Sequence, residues 1–427
     1  MSLKKEGYRP RLADKQLDVL LQGFGAVCIE GPKWCGKTWT GLNRADSVIY
    51  IASPENNFQS RELARLNPQL VLEGNLPRLI DEWQEVPAIW DAVRFAVDQS
   101  SNPGSFIMTG SSTPSRESFI HSGAGRIARL RMQTMSLFES GDSSGLVSLK
   151  QLFREGLTAV KSKKTSLEDL ISFCIRGGWP GSIGKDSNVA KEIPIQYLNS
   201  IIEFDMSSVG GEGRDLEKFR RLIRSLARNE STVVSNRTLQ ADIFEAEGEN
   251  INTDTIANYL NLLDRLFVIE NQPAFNPNMR SSLRVGKSAK RHFTDPSLAV
   301  AALGATQGML FNDLHTFGFL FEALCERDLR IYSQALNGKL FHYRDEKGHE
   351  IDAIIELEDG RWGAFEIKLG TFQIDEAASK LIKLKQEMED DPKARPPEIL
   401  CVICGLSEYA YKREDGVFVV PITALRD

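Results

Sequence analysis

Residues Gly31, Pro32, Lys33, Trp34, Cys35, Gly36, Lys37 and Thr38 match GxxxxGK[ST] in full. The two glycines let the backbone curl so that its N–H groups face phosphate oxygens, and a helix opening at Lys37 adds its positive end. Lys37 is placed to reach the β- and γ-phosphates of ATP and Thr38 to hold Mg²⁺. A glycine-rich turn is the bland alternative, but the match lies between a buried-strand pattern, GAVCIE, and a helical one. Downstream, LPRLIDEWQ is an apolar run ending in Asp81 and Glu82. There Asp81 serves the Mg²⁺ shell and Glu82 orients or deprotonates the attacking water; the plainer reading is an acidic pair capping the helix PAIWDAVRFAVDQ. SFIMTGSSTP ends in hydroxyls, of which Thr109 or Ser111 could sense the γ-phosphate or merely satisfy a turn. In GAGRIARLRM, alternation explains Arg129 and Arg131 as one solvated face, leaving Arg126 as the candidate arginine for phosphate, in its own site or a neighbouring subunit's.

A second constellation lies near the other end. In FEIKLG, strand alternation puts Glu366 and Lys368 on one face inside an apolar run, an expensive place for charge. Asp352, on the preceding strand pattern, could share a Mg²⁺ with Glu366, and Lys368 would then orient the attacking water or offset charge on a phosphate. Glu322, on a helical run before them, is the candidate peripheral carboxylate. The alternative is a salt-bridged Asp352, Glu366 and Lys368 cluster that cuts nothing.

The elements that must position these residues follow from periodicity. SVIYIA reads as a strand, PENNFQSRELARLNPQLVLEG as mainly helix, and LEDLISFCIRGGWPG as a helix stopped by Gly-Gly-Trp-Pro. LEKFRRLIRSLARNE, TLQADIFEA and TDTIANYLNLLDRLFVIE read as three helices leading into a β-pair. FLFEALCERDLR is helical, KLFHYRDEKGHEIDAIIEL reads as two strands around a turn at Asp345 to Gly348, and helix, strand and strand follow FEIKLG. This order resembles the core of a PD-(D/E)xK nuclease fold, with Ile351 where the motif name has proline.

With 427 residues, two or three domains are expected. The N-terminus shows no secretory pattern and no apolar run is long enough to span a bilayer, so a cytoplasmic protein without membrane partners is expected. The six cysteines are scattered, and Cys401 and Cys404 read as buried thiols rather than zinc ligands. The five histidines show no ligand spacing. A net charge of -6 and a pI near 5.7 give no global nucleic-acid signal, so DNA or RNA would need a local basic surface such as FRRLIR or RSSLRVGKSAKR.

The runs GPKWCGKT, LIDEWQEVPAIWD, FIMTGSS and HSGAGRIARL resemble AAA-type ATP-binding proteins of bacteria and archaea that carry a C-terminal restriction-endonuclease-like domain, relatives of the STAND-type switch ATPases. The resemblance implies an α/β chain in four parts: a P-loop ATPase domain over 1–140, a helical linker or lid over 141–215, a winged-helix-like domain over 216–290 and a PD-(D/E)xK nuclease-like domain over 291–427. It implies a Tyr-x-x-Arg element, here Tyr8 and Arg11, that frames the nucleotide. In the winged helix TDTIANYLNLL would be the recognition helix, although it carries Asp254, Asn258, Asn261 and Asp264 and no base-reading arginine near its start. Two functions are expected: an ATPase controlling a metal-dependent nuclease, or an ATP-driven switch whose C-terminal domain only binds nucleic acid or a protein partner. ATP, Mg²⁺ and self-association belong to both.

Overall fold

Short, fully apolar strand runs separated by helices can satisfy both sheet faces only when helices cover each side, and the first part of the chain folds that way. The computed structural model describes residues 3–100, 102–114, 120–154, 156–205, 215–247, 251–278, 288–345 and 348–427. Most of the basic stretch RSSLRVGKSAKR and the tip of the 345–348 turn lie outside the described residues. Two compact units result, one of residues 1–134 and 263–268, the other of 135–262 and 269–427.

The first unit runs α1 (Ala13–Gly23), β1 (Ala26–Glu30), α2 (Lys37–Leu42), β2 (Ser47–Tyr50), α3 (Gln59–Leu66), β3 (Arg78–Asp81), α4 (Ala88–Ser100), β4 (Phe106–Gly110) and β5 (Ile127–Arg131). Its strands form one all-parallel sheet in the order β2-β3-β4-β1-β5. Ala26, Cys28, Ile80 and Met108 pack toward Trp83, Ile89, Trp90 and Val93 on one face. Val27, Ile29, Leu79 and Ile107 pack toward Leu17 and Leu42 on the other. Parallel pairing gathers the carboxyl ends of all the strands on one edge, where α/β sheets bind ligands.

The second unit contains β6 (Val147–Ser148), β7 (Val160–Lys161), α5 (Leu167–Arg176), α6 (Leu216–Arg228), α7 (Asn236–Glu247) and α8 (Thr253–Arg265), whose last turn groups with the first unit. Then come β8 (Ile269–Gln272), β9 (Lys290–Phe293), α9 (Pro296–Leu303), α10 (Leu314–Ala335), β10 (Lys339–Arg344), β11 (Glu350–Glu356), β12 (Trp362–Lys368), α11 (Ile374–Asp390), β13 (Ile399–Cys404), β14 (Tyr409–Lys412), β15 (Phe418–Pro421) and β16 (Leu425–Arg426). Its main sheet has the order β10-β11-β12-β13-β15-β14-β7. β10, β11 and β12 are antiparallel neighbours, and the α11 crossover makes β13 parallel to β12. Ser166 and Asp169 form the capping box that starts α5. Gly178, in the Gly-Gly-Trp-Pro stop, has no room for a Cβ, which would fall 2.1 Å from the Met135 carbonyl oxygen.

Boundaries expected at 215 and 290 do not separate compact bodies. The span expected as a helical linker supplies β7 to the end of the main sheet and β6 to a pair with β16, so chain remote in sequence completes the C-terminal sheet system. Two-residue strands have too little periodicity to be seen beforehand. In α11, Ile374, Ala377, Ala378, Leu381, Leu384 and Met388 form the buried stripe, packed with Trp362, Ile354 and Val402 of the sheet. Leu381→Ala is expected to cost about 2–5 kcal/mol, read as a lowered urea midpoint. An unchanged midpoint would remove α11 from the stabilising core.

Candidate functional site

The β1 strand ends at Glu30 and the loop to α2 begins with Gly31, where a Cβ would lie 2.1 Å from the Met132 carbonyl oxygen. Gly36 caps α2 with φ 105°, the left-handed region that glycine adopts cheaply. Lys37 is buried, and its ammonium donates to the carbonyls of Gly31 (3.0 Å) and Pro32 (2.7 Å). Cys35 is buried under the loop while Trp34 is exposed with φ 63°. Arg11 fixes the loop from below, donating to the carbonyls of Cys35 (2.6 Å), Gln133 and Thr134 (3.0 Å each). Tyr8 donates to Asp14 (2.6 Å) and lies 3.1 Å from the Thr40 hydroxyl of α2. The Tyr-x-x-Arg element thus braces the loop and its helix.

Register brings the remaining groups to this edge. In adjacent strands Thr109 stands opposite both Ile29 and Asp81. One oxygen of Asp81 accepts from Thr38 and from Thr109, each at 2.7 Å. Burial pushes the Asp81 carboxyl up, while these two hydroxyls and the charge of Lys37 oppose the shift and Glu82 adds to it. Glu82 leaves β3 in the left-handed conformation, φ 57°, an uncommon backbone state for a side chain with a Cβ. Its carboxylate accepts from Ser111 (2.9 Å) and from Gln84, which also donates to Ser111 (3.3 Å). Gln84 was missed by the sequence reading; its signal was its place two residues after Glu82.

Arg126 is not brought here. It precedes β5, and the register Ala26 with Ile127 and Glu30 with Arg131 puts it at the amino-terminal edge of the parallel sheet. Five residues of strand, about 16 Å, separate that edge from the phosphate loop. Arg126 instead pairs with Asp98 of α4 at 2.7 Å. In its own chain it is therefore a surface ion-pair residue. Motif order without strand direction does not reveal which edge of the sheet a residue occupies.

In the C-terminal sheet Asp352, Glu366 and Lys368 do converge. Lys368 Nζ lies 2.8 Å from Glu366 Oε2 and 3.4 Å from Asp352 Oδ2, which also accepts from the Ile367 N–H at 2.7 Å. Glu366 is fully buried, and Lys380 of α11 sits 2.7 Å from its other oxygen. Burial and the Asp352 charge raise the Glu366 carboxyl, with the two lysines opposing. Glu322 of α10 is held by Lys290 of β9, whose Nζ is also 3.0 Å from Glu326, one helical turn on. On the same face of β9, His292 lies 2.7 Å from Glu326 and 3.1 Å from Glu230. Lys290, His292, Glu326 and Lys380 escaped the sequence reading: Lys290 stands in the run named as a basic surface for nucleic acid, and partners fourteen to sixty-two residues away leave no local trace. His349, given no ligand spacing, lies 2.8 Å from Asp345 and 3.9 Å from Glu387, with Lys383 3.2 Å from its other ring nitrogen. The basic run on α6 is partly neutralised, Arg228 by Asp242 and Arg220 by Glu203 and Glu217.

With this geometry established, the relatives can be placed beside it. Residues 24–140 match the AAA domain family. The first unit is an AAA-type, P-loop nucleotide-binding domain. Residues 167–308 and 317–425 match two domains of unknown function, DUF8612 and DUF4143. The uncharacterized protein Rv2008c of Mycobacterium tuberculosis is 25% identical over 364 residues, 84% of this chain and 73% of that one. Its counterpart Mb2031c in Mycobacterium bovis gives the same figures. Among solved structures, the Walker-type ATPase PABY2304 of Pyrococcus abyssi is similar over 70% of this chain and 97% of its own, at 15% identity and a TM-score of 0.42. The replication initiator DnaA bound to AMPPCP and single-stranded DNA is similar over 59% and 86%, at 12% identity and a TM-score of 0.25. Among the described residues no helix is long and apolar enough to cross a membrane.

Burial alone would lower the His292 imidazole, but Glu326 and Glu230 more than offset it and raise its pKa above the ordinary 6.5. A raised folded pKa gives stability that is full below pH 6.5 and lost as pH rises through the raised value. The melting-temperature advantage of wild type over His292→Gln is therefore expected to shrink with rising pH across that range. A difference independent of pH would show that the imidazole is neutral throughout.

Proposed function

We propose that the protein binds and hydrolyses ATP at the phosphate loop and uses its nucleotide state to control what the second unit binds. The observation that carries the first half is the convergence of Thr38, Asp81 and Thr109 beside Lys37, with Glu82 held by Ser111 and Gln84. A hydroxyl and a carboxylate oxygen are the hard donors Mg²⁺ prefers, so Thr38 and Asp81 fit that ion. Bound there, Mg²⁺ would offset charge on the β- and γ-phosphates. Lys37 would exchange its loop carbonyls for phosphate oxygens. Glu82 would accept a proton from the attacking water or orient it, and Ser111 and Gln84 keep its carboxylate aimed.

Lys37→Ala is expected to abolish ATP binding. Glu82→Gln is expected to keep ATP binding and lower steady-state turnover by about 10²–10⁴-fold. Unchanged turnover in both variants would exclude hydrolysis at this site.

For the second unit the nuclease and the binding readings differ in what they ask of Asp352 and Glu366. A metal-dependent nuclease needs their oxygens for Mg²⁺. Both Glu366 oxygens lie within 2.8 Å of a lysine ammonium, and Asp352 Oδ2 accepts a backbone N–H. The residues as arranged do not fit the ion. That pairing favours the second reading, a PD-(D/E)xK-like domain that binds a macromolecular partner without cutting it.

Support for control by nucleotide comes from residues 263–268, which group with the first unit immediately before β8. Thr113, two residues beyond Ser111, exchanges hydrogen bonds with Arg265 (2.9 and 3.0 Å), and Arg131 stacks over Phe267 at 3.9 Å. Labelled DNA and RNA, single- and double-stranded, incubated with Mg²⁺ with and without ATP, are expected to remain intact. Cleavage by wild type that is lost in Lys368→Ala would overturn the binding reading and restore the nuclease.

A further inference from the structure

Asp345 directly follows β10 and His349 directly precedes β11, so the turn between the two strands brings them together. The Asp345 N–H donates to the His349 carbonyl at 3.0 Å, and the His349 N–H donates to Asp345 Oδ1 at 2.8 Å. These bonds fix the carboxylate so that its other oxygen, Oδ2, lies 2.8 Å from the ring nitrogen Nδ1 of His349. A third group reaches the same nitrogen from α11. Glu387 stands beside Met388 of the buried stripe, and its Oε1 is 3.9 Å from His349 Nδ1.

One ligand atom from each of the three residues lies within 4.8 Å of the others, and among the described residues this is the one set of three such donors so close together. Donors bonded at about 2.0–2.2 Å to one tetrahedral ion stand about 3.4 Å apart, so the two distances at Nδ1 bracket what a shared ion requires. At 3.9 Å Glu387 is too far to accept a hydrogen bond from the ring, and among the described residues it has no other hydrogen-bond partner. The side chains of Asp345, His349 and Glu387 are 18%, 38% and 32% exposed, which lets an ion enter from solvent and keep water in its shell.

Lys383, one turn before Glu387 on α11, meets the other face of the problem. Its ammonium lies 3.2 Å from His349 Nε2. An ammonium has donors and no acceptor, so Nε2 accepts and Nδ1 carries the ring proton toward Asp345. An ion at Nδ1 needs the opposite tautomer, with the proton on Nε2. Lys383 is exposed, so it can turn away to water when the proton changes place.

We propose that Asp345, His349 and Glu387 form a zinc site, with Zn²⁺ held by Asp345 Oδ2, His349 Nδ1 and Glu387 Oε1 and with water at the remaining position. One imidazole with two carboxylates suits Zn²⁺, whereas Mg²⁺ is served best by oxygen alone. The ion ties the β10–β11 turn to α11. The site is separate from Asp352 and Glu366 and does not depend on how the second unit treats its partner.

The test is Zn²⁺ binding to the untagged, nucleotide-free full chain, measured by competition with a chromophoric chelator of micromolar affinity. Wild type is expected to take one Zn²⁺ per chain, with millimolar Mg²⁺ failing to displace it. His349→Gln and Glu387→Gln, both at partly exposed positions, are each expected to lose the ion and keep the wild-type far-UV circular dichroism. Asp81→Asn, at the phosphate loop, is expected to retain it. Lys383→Met is expected to bind more tightly, because no ammonium opposes the ion or the tautomer it needs. Failure of wild type to compete with the chelator, displacement by Mg²⁺, or binding that survives both His349→Gln and Glu387→Gln would overturn the proposal. Weaker binding in Lys383→Met would overturn the placement of the ion at Nδ1.

Discussion

A carboxylate taken out of water loses hydration worth several kcal/mol unless donors or cations replace it. Both units are organised around that requirement. In the first, Asp81 meets it with two neutral hydroxyls, Thr38 and Thr109, which satisfy the carboxylate without cancelling its charge. In the second, Glu366 and Glu326 meet it with lysine ammonium groups, which offset the charge on the spot, and Glu326 also lies beside the His292 ring. The same residue type is served by neutral donors in one place and by cations in the other.

This contrast sets how much each unit can be changed. Replacing a hydroxyl beside Asp81 removes one of two hydrogen bonds to the carboxylate, each worth about 1.5–3 kcal/mol. Removing a lysine beside Glu366 strands a buried charge, which is far more costly than the pair itself is stabilising. Ionic clusters of the second kind can favour one arrangement of the elements that bear them, here β9, α10, β12 and α11. The α10 helix shows the cost accepted for this: Glu326, Arg327 and Asp328 are consecutive, fully charged in type, and all buried. Arg327 bridges Asp295 and Asp328, and Asp328 in turn accepts the Leu137 N–H.

The phosphate loop, the residues around it and segment 263–268 obey a different constraint, strand direction. Parallel pairing collects Gly31, Asp81, Thr109 and Ser111 on the carboxyl edge of one sheet although they span eighty residues of chain. The same rule sends Arg126 to the far edge, despite its position in a motif-rich run. Residues 263–268 attach at Thr113, which follows the strand that carries Thr109, through the Thr113–Arg265 hydrogen bonds.

Sequence alone determined the phosphate loop, the acids at the end of β3, the hydroxyls after β4 and the strand pair bearing Asp352, Glu366 and Lys368. Each is a local pattern: a glycine spacing, an apolar run ending in polar residues, or an alternation, and local patterns are set by the backbone dihedrals and side-chain period of the segment itself. Only the tertiary structure decided which of those residues share a site. Arg126 left the nucleotide site because sheet register fixes which edge a residue occupies. Gln84 joined it through the left-handed turn at Glu82. Lys290, His292, Glu326 and Lys380 found their places because buried charge seeks its partners through space, where Lys290 and Glu322, thirty-two positions apart, are in contact.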